Sequence, residues 1–114
     1  MTTQTIKQND LEPPLRMTLV DRDGARVDLT NAEFVRFIMA RRGVNKVDRE
    51  IDVIADQGVG NEETWGDIEL HWQAGETDTR GEYSVEVEVT WPGDRPQTFP
   101  ESGYERIRIV RDLG

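Results

Sequence analysis

The chain has 114 residues, with 23 acidic side chains against 14 basic ones and a net charge of −9, enough for one domain with a modest two-layer core. That acidity repels phosphate backbones, so nucleic acid is a disfavoured partner. With no cysteine and no apolar run approaching the roughly 20 residues of a membrane helix, disulfides, thiolate chemistry and a membrane partner are set aside.

Residues 1–12 are polar apart from the β-prone Thr5-Ile6 and carry no apolar stretch of the Sec signal type. They predict an extended arm lying on a sheet edge or on a neighbour, ahead of a single β domain over 13–114. Pro13-Pro14 marks a strand entry, because proline cannot donate to a ladder. Leu15, Met17 and Leu19 then alternate with Arg16 and Thr18, and Asp21-Arg22-Asp23-Gly24 is a tight turn. A return over 27–29 would make 15–29 a hairpin.

The stretch 34–41 sets Val35, Phe37 and Met39 on one face and Phe34 and Ile38 on the other. A helix over 31–42, capped by Asn31, fits part of the same pattern. The density of Val, Phe and Ile favours a strand. A loop is expected at 43–46, then a strand over 49–55 with Ile51, Val53 and Ala55 inward. A mobile, glycine-rich acidic loop follows at 56–63.

The longest regular pattern covers 66–91. Ile68, Leu70 and Trp72 alternate with polar residues, and so do Tyr83, Val85, Val87, Val89 and Trp91. Gly75, Thr77, Asp78, Thr79 and Gly81 between them are turn residues. The pattern predicts an antiparallel hairpin with its connection at 73–81. An exposed turn at 92–96, a short strand at 97–99, a turn at 100–103 and a strand over 104–111 complete the chain. About seven to nine short strands with frequent turns predict an all-β chain folded as an antiparallel β-sandwich.

Chemical constellations are thin. His71, the single histidine, lies on the polar parity of its strand, and Ser84 and Ser102 lack a nucleophile-elbow context. Zinc lacks ligands. Asp21-x-Asp23-Gly24 fails the EF-hand pattern at Ala25 and Ala32 and reads as a β-turn. Glu82, Glu86 and Glu88 share a strand face and read as a solvated surface rather than a catalytic dyad. Trp72 and Trp91 sit on apolar parities; Trp65, at a loop end, is open to a core or a sugar-stacking role. No catalytic residue, cofactor or metal is expected, and the residues point to a scaffold or binding domain.

An ordered series of motifs resembles a phage family, the N-terminal domain of the baseplate upper protein and the small tail and virion proteins related to it. The series runs through Asn9-Asp10, Pro13-Pro14-Leu15, Asp21-x-Asp23-Gly24 and Val27-Asp28-Leu29-Thr30. It continues with Val35-x-Phe37-x-Met39, Ile68-x-Leu70-x-Trp72 and Gly75-x-Thr77-Asp78-Thr79-x-Gly81-x-Tyr83. Thr98-Phe99-Pro100 and Ile107-x-Ile109 close it. The resemblance implies an immunoglobulin-like sandwich without enzymatic activity, docked onto other virion structural proteins, as a homo-oligomer within a virion assembled in the host cytoplasm. Capsid decoration or a head–tail junction is the near alternative, and a carbohydrate- or receptor-binding module using Trp65 the more distant one. Candidate partner contacts are Thr2, Gln4, Ile6 and Asp10 in the arm, Trp65, and Pro92, Asp94 and Arg95 in the exposed turn. The arm is expected to be dispensable for folding, so that removing 1–10 costs docking alone.

Overall fold

The computed structural model describes residues 3–101 and 105–113. In chain order the strands are β1 (Thr3–Lys7), β2 (Leu15–Thr18), β3 (Phe34–Arg41), β4 (Val44–Glu50) and β5 (Val53–Ile54). A 3-10 turn at Glu62–Thr64 precedes β6 (Asp67–Leu70), β7 (Gly81–Trp91), β8 (Arg95–Phe99) and β9 (Glu105–Val110). They form two sheets packed as a β-sandwich, one in the order β1-β9-β7-β3-β4 with β8 also on β7, the other β2-β6-β5.

β7 is the spine. Its unbroken alternation buries Tyr83, Val85, Val87 and Val89 on one face. On one side it pairs β3, matching Val35 with Val89, Phe37 with Val87 and Met39 with Val85. Its other side is shared end to end, β9 along the first half and β8 along the second. The small sheet faces it with Leu15, Ile68 and Leu70, and Trp72 follows β6 into the core. Phe37 and Trp72 meet edge to face across the layers, with centroids 6.3 Å apart.

The hairpin expected over 66–91 is an arch instead. β6 pairs β2 and β5, whereas β7 belongs to the other sheet. Alternation says which face of a strand is buried and is silent on which strand lies beside it. The 73–81 connection is long enough to cross the roughly 10 Å between packed sheets.

Smaller corrections share that cause. The 21–24 turn forms, with Gly24 N–H donating to Asp21 O at 2.9 Å. The return at 27–29 shrinks to one Val20–Arg26 bridge and a bond from Val27 N to Leu19 O, because β2 takes β6 as partner. The loop expected at 43–46 is a tight turn on Arg42 and Gly43, both at positive φ, and β4 starts at Val44. The strand expected over 49–55 leaves the large sheet after Glu50 and rejoins the small one at Val53, which is 43% exposed rather than inward. Within 31–42, Phe34–Arg41 is strand as favoured, and no helix forms there. Residues 3–7 of the arm are extended and pair parallel to β9, and Ile6 is buried against the core. The arm is therefore an edge strand of its own sheet, and removing 1–10 would open that sheet. Tyr104 and the end of the turn expected at 100–103 lie outside the described residues.

Candidate functional site

The residues weighed for chemistry occupy separate faces. Ser84 points outward from the large sheet, its strand neighbours being buried, while His71 is exposed just beyond β6 in the small sheet. His71 Nε2 lies 2.9 Å from Glu69 Oε1. Ser102 is outside the described residues. Asp21 Oδ1 accepts from Asp23 N at 2.9 Å and Ala25 N at 3.0 Å, which makes the Asp21 turn self-bonded. No group of three or more metal-ligating side chains occurs among the described residues.

The outer carboxylates are matched with arginine across the strands. Arg36 forks onto Asp48 at 2.5 and 2.6 Å, and Arg108 reaches Glu82 at 2.7 Å. The hydrogen bond from each arginine, ahead of its charge for Glu82, holds Asp48 and Glu82 below the usual carboxylate range. On the outer face of the small sheet a groove of about 410 Å³ is walled by Arg16, Thr18, Arg26, Asp67 and Glu69. Asp67 Oδ1 accepts from Arg26 at 2.8 Å and Thr18 at 2.5 Å, and Glu69 from Arg16 at 3.0 Å. Those groups are already spent on one another, so the groove is a surface network.

The expected partner contacts fall into two places. Gln4, Ile6 and Asp10 lie on or just after β1. Gln4 Nε2 donates to Arg16 O at 3.0 Å and closes the open side of the sandwich, and Ile6 is committed to the core. Asp10 is exposed, with its carbonyl accepting from the Thr77 hydroxyl at 2.9 Å. Thr2 lies outside the described residues. Pro92, Asp94 and Arg95 form the exposed β7–β8 connection, with Asp94 at positive φ. Trp65 is half-buried at the mouth of the 56–65 loop, and its Nε1 donates to Gly58 O at 2.7 Å.

Three residues that pattern reading passed over hold these places in position. Gln57 pins the loop expected to be mobile. Its Oε1 accepts from Leu29 N and Gly66 N at 2.9 and 3.0 Å, and its Nε2 donates to Ala55 O and Thr64 O at 2.8 and 3.0 Å. Gly66 closes the same joint: at φ +77 it lies against the Leu19 carbonyl, where a Cβ would collide. At the other end Arg49, on the inward parity of β4, forks onto Glu76 at 2.7 and 2.9 Å and donates to Asp52 at 3.0 Å and to His71 O at 2.8 Å. That one guanidinium ties β4, the crossing to β5 and the arch together. Thr77 is fully buried within the arch. Arg49 left a visible sign, a charge on the parity of Val47 and Ile51; Gln57 left none.

What remains open at the 56–65 and 92–94 end is apolar and acidic. Val59 is 97% exposed and Phe34 54%. Glu33, Asp56, Glu63 and Asp94 are exposed and have no basic side-chain partner among the described residues. Such a surface suits docking to another macromolecule better than enclosing a small ligand. No family model, curated protein or solved structure matches the chain.

Proposed function

We propose that this protein is a non-enzymatic structural component of a tailed virus. In this reading an immunoglobulin-like sandwich docks onto other virion proteins within a symmetric assembly. The observation that carries it is the meeting of two motifs of the resembling series that lie far apart in the chain. Asn9 N donates to Thr77 O at 2.9 Å, and the Thr77 hydroxyl returns to Asp10 O at 2.9 Å. Asn9-Asp10 and the 75–83 motif thus act as one joint, which gives their joint occurrence a physical reason. Tyr83 adds to it, its hydroxyl donating to Thr79 O four residues upstream at 2.7 Å. A tyrosine bonded back in this way at the start of a strand is similar to the tyrosine corner of immunoglobulin-type sandwiches and supports that reading.

The docking elements in this reading are the loop end around Val59, Trp65 and Pro92–Arg95, and the edge strand β1. A sugar-stacking role for Trp65 is less favoured, because its ring is half-buried and its N–H is spent on Gly58. Immunogold electron microscopy of particles from lysate, with antibody against the recombinant domain, tests the proposal. Label on virions is expected, and its position on head, neck or tail distinguishes decoration from junction and baseplate roles. Unlabelled particles, with the protein free in the lysate, would overturn it.

A further inference from the structure

Among the described residues, the charge left without an ion-pair partner is mainly basic at one end of the sandwich and mainly acidic at the other. Arg41 ends β3, Arg42 forms the turn after it, Arg80 immediately precedes β7 and Arg111 immediately follows β9. Since β3, β7 and β9 are neighbours, the strand ends gather these arginines at one end of the large sheet. Arg41 lies across Gly81, close enough that a Cβ there would sit 2.9 Å from its guanidinium carbon, and donates to Arg80 O at 3.2 Å.

No arginine of this group has a carboxylate partner among the described residues, whereas Arg16, Arg22, Arg26, Arg36, Arg49 and Arg108 all do. Asp78 beside them is taken by Lys46, whose hydrogen bond holds it below the usual carboxylate range, and Asp112 adjoins Arg111. Asp10 and Glu12 lie on the flank, along the loop after β1.

Among the described residues the opposite end presents Glu33, Asp56, Glu63 and Asp94 without a basic side-chain partner and Glu62 bonded to the backbone of Gly60, against one exposed arginine, Arg95, without a carboxylate partner. The length of β7, about 33 Å at 3.3 Å per residue, separates the two ends. A Debye length near 8 Å at physiological salt is far shorter than that. An arginine end therefore senses what touches it and not the net −9 of the whole chain.

We infer that copies of this chain associate head to tail, the acidic loop end of one against the arginine end of the next. The occupant follows from complementarity, because the same chain bears both halves of the contact on opposite ends. A heterologous contact of this kind closes into a ring or runs on as a filament, according to the rotation per step. The inference goes beyond the docking role proposed above and does not depend on its virion setting.

Sedimentation velocity on the full chain tests it. Association is expected at physiological salt, weakening by about tenfold or more as sodium chloride is raised enough to bring the screening length to a few ångströms. R42E/R80E and E62R/E63R are each expected to be monomeric with unchanged circular dichroism. Their equimolar mixture is expected to associate, because each supplies the end that the other has lost. An unmodified chain that stays monomeric at physiological salt would overturn the inference without recourse to any variant. So would variants that associate alone, or a mixture of folded variants that does not associate.

Discussion

The large sheet rests on one continuous ladder, in which Phe37, Met39, Val85, Val87 and Val89 are wholly removed from solvent along β3 and β7. The small sheet has short strands, exposes Val53 and Ile54 on its edge, and is held through its ends, by Gln57 at one and Arg49 at the other. Alternating apolar residues suffice to build a sheet where strands are long enough to bury them. Where strands are short, polar side chains that reach across a corner take over the joining. The two regions should therefore fail differently when altered.

Phe37→Ala removes a side chain from the centre of the ladder and its edge contact with Trp72, and is expected to cost about 3–5 kcal/mol. A lower urea midpoint at unchanged slope would show it, whereas a loss below about 1 kcal/mol would mean that the ladder is not the main support. Ile6→Ala comes next, at about 2–4 kcal/mol, because Ile6 is buried opposite Ile109. Its thermal midpoint separates a sheet strand from a dispensable arm, since an unchanged value would mean that β1 contributes nothing to folding.

Arg49→Met retains the stem and deletes the fork, with an expected loss of about 1.5–3 kcal/mol. A double-mutant cycle with Glu76→Gln should give strong coupling, and simple additivity would break the contrast drawn between the sheets.

The smallest single effects belong to exposed pairs and are best read together through pH. Asp48, Asp78 and Glu82 are held low by hydrogen bonds from Arg36, Lys46 and Arg108, and Asp28 by the Thr30 hydroxyl. A carboxylate with a lower pKa folded than unfolded stabilises the fold above its ordinary value. That contribution is lost as pH falls through the depressed value. Stability should therefore be level at neutral pH and decline only in acid, and Arg36→Ala should flatten the decline. A decline beginning near neutrality would contradict this assignment.

Much of this was legible in the residues themselves. β3 was readable to its ends, and β7 from Glu82 onward, because eight or more residues alternate without interruption. The buried set of β6 was equally plain, yet its partner was not. Ile68 and Leu70 would face a core whether β6 lay beside β7 or across from it. Ile6 was obscured by standing alone in a polar segment, and its burial follows from the parallel register with β9. Among the candidate contacts Pro92, Asp94 and Arg95 were readable as an exposed turn from composition alone. The role of Gln57 depends on four backbone groups that only the fold assembles.

The claim on which the account turns is that the two halves of 67–91 belong to different sheets. Cross-strand nuclear Overhauser contacts test it most directly. The account predicts backbone contacts from Ile68 to Met17 and Ile54, and from Val87 to Phe37 and Phe99. A continuous ladder of backbone contacts between 67–72 and 83–91 would contradict it and restore the hairpin.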